Sequence, residues 1–176
     1  MELRHYRLPD LEQARPVLSR VYAEVYGDKL ADEFHTLEKF EQRLRGHTAG
    51  DDWEAVIAWD TGEPVGFVYA APLRPGARWW SVMREALPEA YTMETGSRTL
   101  ALFELMVRDQ WRGSGLSEEL HEELLRARSE ERVTLLVDPS HPKVLDLYVS
   151  WGYKRIGDQQ PFPDAPVYAV MVRTLR

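Results

Sequence analysis

The sequence predicts a single α/β domain in which helices cover both faces of a mixed central sheet of about seven strands. Apolar periodicity switches repeatedly between the strand and helix repeats, and no internal repeat, low-complexity tract or long linker divides the chain. A length of 176 residues suits one core, which at that size buries roughly 70% of the unfolded surface. The absence of cysteine excludes a disulfide framework and thiolate metal sites, so the fold must rest on packing.

Each element follows from local pattern. The stretch ELRHYRL reads as a first strand, and Asp10 is placed to cap a helix that Gly27 stops. Leu11, Ala14, Leu18, Val21, Tyr22 and Val25 share one face of that helix, with Pro16 early enough to kink it. A second helix runs through Phe34, Leu37, Phe40 and Leu44 to Gly46. WEAVIAWD and VGFVYAA then form a hairpin around a polar TGEP turn. Residues 72–99 are too long for a simple connection and suggest a short helix around Trp79 to Leu87. LALFELMVR is an apolar strand that leads into a helix from Gly115 to about Ser129. RVTLLVD is a buried strand, HPKVLDLYVSWG a helix closed by Gly152, and YKRIGDQ and VYAVMVRTL the last strands.

A net charge of −7 and a pI near 5.3 oppose general attraction to nucleic acid, and no basic stripe offsets them. The opening MELRHYRLPD is charged, and no stretch approaches the ~18 apolar residues of a membrane span. These features lead us to expect a cytoplasmic protein without membrane or nucleic-acid partners. His5, His35, His47, His121 and His141 are scattered without ligand spacing, so no metal site is expected. Glu118, Glu119, Glu122 and Glu123 read as the solvated face of a helix.

In LMVRDQWRGSGLSEEL a strand runs through a glycine-bearing turn into a helix. First-turn amides of such a helix lack intrahelical partners and can bind phosphate, and Gly113 and Gly115 permit close approach with Arg112 beside them. The missing Gly-Lys-Ser/Thr excludes a Walker loop, and Glu118 stands where a dinucleotide fingerprint needs its third glycine.

The turn resembles the signature of the GNAT superfamily of acyl-CoA-dependent N-acyltransferases, Gln/Arg-x-x-Gly-x-Gly/Ala directly after a strand. Here it stands as Gln110, Trp111, Arg112, Gly113, Ser114 and Gly115. The family's second motif, Asn-x-x-Ala-x-x-Leu-Tyr-x-x-x-Gly-Phe/Tyr, is met by His141, Val144, Leu147, Tyr148, Gly152 and Tyr153, with His for Asn and Val for Ala. The resemblance spans nearly the whole strand and helix order and is weakest over residues 28–50 and 72–98. It implies that Arg112, Gly113, Ser114, Gly115, Leu116 and Ser117 hold the pyrophosphate of acetyl-CoA. It further implies that the Leu105, Met106 and Val107 backbone pairs with the pantetheine arm, and that His141 contributes to the same cofactor site.

Acetyl transfer to nitrogen needs a neutral amine, and freeing a lysine-like ammonium at pH 7 costs about 4–5 kcal/mol. Glu104 lies on the strand beside the implied thioester and by alternation shares a face with Leu100, Leu102 and Met106. It is the expected general base and amine-binding group, the alternative being an ion pair with an arginine such as Arg98 or Arg74, or a side chain that reaches solvent; Asp138 or Glu94 could take its place as base. Tyr148 stands where many relatives keep the tyrosine that protonates the leaving thiolate; otherwise it packs with Val144 and Trp151. Trp79, Trp80 and Tyr91, with Met83 and Met93, form either an acceptor-side wall or lid, or a satellite hydrophobic cluster or homodimer contact. The expected function is transfer from acetyl-CoA to a primary amine of a small molecule, an amino-sugar or a protein, by direct attack in a ternary complex. The alternatives are a non-catalytic acyl-CoA sensor and a scaffold.

Overall fold

A computed structural model describes residues 1–176. The strands are β1 (Glu2–Arg7), β2 (Glu54–Asp60), β3 (Glu63–Pro72), β4 (Thr99–Val107), β5 (Arg132–Val137), β6 (Lys154–Gln159) and β7 (Tyr168–Thr174). The helices are α1 (Leu11–Tyr26), α2 (Leu37–His47), α3 (Glu89–Thr92), α4 (Leu116–Arg126) and α5 (Pro142–Ser150). In hydrogen-bonding order the strands run β1-β2-β3-β4-β5-β7-β6, a seven-stranded mixed sheet. The chain forms two compact units, residues 1–71 with 102–128, and residues 72–101 with 129–176.

The first unit is built on an antiparallel meander. β1 pairs with β2 and β2 with β3, the latter through Thr61 and Gly62, whose φ angles of 50° and 85° suit the twist of a two-residue hairpin. Ala55 and Ile57 of β2 and Phe67, Tyr69 and Ala71 of β3 present one face to α1 and α2, where Ala14, Leu18, Val21, Tyr22, Phe40 and Leu44 complete the core. The helix α1 passes through Pro16, on its exposed side, without interruption. Asp10 does not cap it as expected: its carboxylate accepts from the Arg7 amide and closes the preceding 3-10 turn instead.

The helix α4 lies on the other face. Gly66 alternates with Phe67 and points the opposite way, where a Cβ would meet the Met106 carbonyl oxygen at 2.8 Å and a Leu120 methyl at 3.3 Å. A hydrogen atom at this position is thus what lets strand and helix close. His5 ties the same layers together, with ring nitrogens 2.9 Å from Glu54 and 3.0 Å from Glu123.

In the second unit Thr99–Ala101 of β4 pair in parallel with Arg132–Thr134 of β5, and β7 runs antiparallel to both β5 and β6. Residues 79–87 are not the expected helix. Met83 forms a β-bridge to Gln159, the Arg84 amide donates to the Asp158 carbonyl, and the Trp80 indole donates to Glu94 at 2.7 Å. These long-range bonds outweigh the helical preference of SVMREAL, and only Glu89–Thr92, after Pro88, turns helical.

Gly66→Ala should destabilise the protein by about 1–3 kcal/mol, because the new methyl meets a main-chain oxygen that cannot rotate away. Urea unfolding measures the effect; an unchanged midpoint would show that β4 and α4 do not approach Gly66 this closely.

Candidate active site

At the end of β4 the chain makes a 3-10 turn, Asp109–Trp111, and enters α4 through Arg112, Gly113, Ser114 and Gly115. The turn is fixed to the β2–β3 hairpin, since the Trp111 indole donates to Asp60 at 3.2 Å. Gly113 and Gly115 have φ angles of 74° and 88°, and a Cβ at either would meet nothing within 4 Å. Their value is therefore conformational as well as spatial: both invert the backbone beside open space.

The consequence is a row of available donors. The amides of Gly113, Ser114, Gly115 and Ser117 have no acceptor within the chain. Two neighbours are already engaged, the Arg112 amide by the Asp109 carbonyl at 3.2 Å and the Leu116 amide by the Ser114 hydroxyl at 3.4 Å. The Arg112 guanidinium, half exposed, is held by the Val107 carbonyl and by Asp109 at 2.8 Å, which offsets part of its charge. Leu105, Met106 and Val107 precede this turn and lie outside the β4–β5 register.

Glu104 stands on the same strand, its side chain 17% exposed. Burial pushes its carboxyl up to about 7, with Arg43 of α2 pulling the other way from 3.9 Å. Neither expected ion-pair partner is used, and Arg98 instead holds Glu131 and the carbonyls of Ala90 and Met93. Strict alternation does not hold here either. Phe103 stacks on His47 with ring centroids 3.7 Å apart, so consecutive residues of β4 both reach side chains of α2. Met106 joins the α1–α2 core as well, whereas Leu100 and Leu102 do not.

Apart from Arg43, the polar side chains around Glu104 are neutral. Burial holds the Tyr22 phenol up at about 12 and Tyr69 well above its usual range, and it drives His47 down to about 3. His47 Nδ1 lies 3.1 Å from the Tyr69 hydroxyl. Tyr22, Arg43, His47 and Tyr69 were missed by sequence reading. Arg43 and His47 are four residues apart, a spacing that puts them on one helix face, and that signal was present in the sequence.

In the second unit Tyr148 is 9% exposed and packs edge-on against Trp151 and Tyr153. Val144, expected beside it, is 41% exposed. His141 precedes α5, exposed and 3.9 Å from Asp138. Trp80 is buried in a knot where Glu94 accepts from its indole and from Thr99, and Arg132 stacks on Trp80 and Tyr91. Glu94 is thereby a bound structural carboxylate, and Trp79, next to Trp80 in sequence, is half-buried. No group of three potential metal-ligating side chains occurs, and no helix is long and apolar enough to cross a membrane.

The strand, glycine turn and helix with free amides lie within residues 11–153, which match the family described as the Acetyltransferase (GNAT) family. The chain belongs to that GNAT family. Solved structures agree in fold. An acetyltransferase from Thermus thermophilus is 20% identical with a TM-score of 0.66, the alignment covering 99% of this chain and 98% of that one. A ribosomal-protein-alanine N-acetyltransferase from Brucella melitensis is also 20% identical, covering 99% and 100%, with a TM-score of 0.60. The PaiA N-acetyltransferase of Thermoplasma acidophilum, solved in complex with coenzyme A, is 13% identical over 99% of both chains with a TM-score of 0.57. No protein of curated function matches in sequence.

For this GNAT chain the donor set fits a diphosphate: unpaired amides, positive φ at two glycines and open space where either glycine's Cβ would stand. Gly115→Ala should cost roughly 1–2 kcal/mol of stability from the left-handed backbone alone, since no atom opposes the methyl. Thermal and urea unfolding of the variant check this, and wild-type stability would mean that the turn does not hold its inverted conformation.

Proposed function

We propose that the protein transfers an acetyl group from acetyl-CoA to the nitrogen of a primary amine, by direct attack with both substrates bound. One observation carries the reading: the strand β4 presents a carboxyl pushed up to about 7 and then runs directly into an open row of amides. Bound at that row, acetyl-CoA supplies the activated thioester. The amides of Gly113, Ser114, Gly115 and Ser117 hold the diphosphate, flanked by Arg112 and Leu116, with the Leu105, Met106 and Val107 main chain available to the extended arm; His141 is assigned to the same cofactor.

Glu104 serves as base. As a carboxylate it attracts the cationic amine and accepts its proton, directly or through water, and its affinity near neutrality suits both steps. Tyr148 gives its phenolic proton to the departing thiolate. With no cysteine in the chain, an acyl-cysteine intermediate is excluded, consistent with direct transfer. Trp79 and Tyr91 are assigned to the acceptor side, with Trp80, buried against Glu94 and Arg132, as their support; the overall negative charge favours a cationic acceptor.

Glu104→Gln should lower kcat by about 10²–10⁴ while leaving acetyl-CoA affinity intact. In the wild type the rate should rise with pH through about 7, because the base works only when deprotonated and its proton is lost on that interval. Steady-state assays of thiol release over an amine panel provide the test. An undiminished Glu104→Gln rate would remove Glu104 from the mechanism, and acetyl-CoA binding without transfer to any amine would make the chain a sensor.

A further inference from the structure

We propose that Arg43 is a positioning residue for this transfer, fastened by Phe34 and Tyr22 and set back from Glu104 so that it favours the ionised carboxylate without hydrogen-bonding to it, leaving both oxygens to the amine. The proposal rests on the reading of Glu104 as base. Its ground is the geometry of the guanidinium. Nη1 donates to the Phe34 carbonyl at 3.1 Å, Nη2 donates to the Tyr22 hydroxyl at 3.2 Å, and the group lies 4.8 Å from the centre of the Phe34 ring. The nearest Glu104 oxygen is 3.9 Å away, beyond hydrogen-bond reach.

An ordinary structural ion pair between two such side chains would close to a hydrogen bond. Here three contacts on α1 and on the segment before α2 anchor the cation elsewhere. Both side chains are mostly shielded, Arg43 15% and Glu104 17% exposed, so little water intervenes to screen the pair.

No other charge does this work. Tyr22 on α1, His47 on α2 and Tyr69 on β3 share the cluster, and burial keeps all three neutral near pH 7. Arg43 is the charge that acts on Glu104. Without it, burial alone would govern the carboxyl and keep it protonated well above neutrality, unable to draw in or deprotonate an ammonium. Arg43 thus acts through the base and needs no contact with either substrate.

The test follows the Glu104 carboxyl directly, by carbon-13 NMR titration of glutamate-labelled protein with the signal assigned through Glu104→Gln. Arg43→Met and Arg43→Gln should raise its titration midpoint by about 1–3 units. The acid limb of the transfer rate should move with it, and Arg43→Lys should return both most of the way. A folded neutral variant with the wild-type midpoint overturns the proposal at Arg43. A raised midpoint with an unmoved rate profile overturns it at Glu104, because the base is then elsewhere. If neither neutral variant folds, Arg43→Lys decides: a midpoint near the wild-type value supports the role, and one raised as far as charge loss would raise it refutes the role.

Discussion

Four main-chain amides without acceptors, those of Gly113, Ser114, Gly115 and Ser117, are the constraint around which the first unit is arranged. A chain leaving a strand for a helix normally consumes such donors in turns or side-chain caps. Here inversion of the backbone at two glycines avoids both outcomes, and Gly115 replaces a capping side chain at the start of α4. The donors stay in place because their frame is anchored. Trp111 is tied to Asp60, Glu123 to His5, and Leu120 packs over Gly66. Donors fixed in this way spend little ordering entropy when an anion arrives.

Glu104 shows the opposite balance. A carboxylate placed among Tyr22, Tyr69 and the α1–α2 core loses hydration and holds its proton more tightly, while one guanidinium nearby resists that tendency. The departure from strict alternation in β4 makes this placement possible, since it brings Phe103 and Glu104 together onto α2. A strand that continued its ordinary pleat would have sent one of them to the other layer.

Much of the fold was legible because period and punctuation agreed. All seven strands, the TG hairpin and the strand-turn-helix at residues 105–120 follow from local pattern, and so does the family signature. The polar cluster around Glu104 was not legible for a physical reason. Tyr22, Phe40 and Leu44 mark α1 and α2 as core-facing and the spacing puts Arg43 and His47 on one face of α2, but which strand that face meets is set by tertiary packing alone. Residues 79–87 carried a helical composition that the bridge from Met83 to Gln159 overrode, a contact spanning most of the second unit in sequence. Asp10 was misread similarly, since its nearest amide donor lies behind it at Arg7 and not ahead in α1.

The most direct measurement is a titration of nitrogen-15-labelled protein with coenzyme A, following amide resonances along the chain. Binding through this turn requires saturable shifts at Gly113, Ser114, Gly115 and Ser117. Amides at those positions that stay unmoved while the nucleotide binds elsewhere, or no saturable change at all, would contradict it.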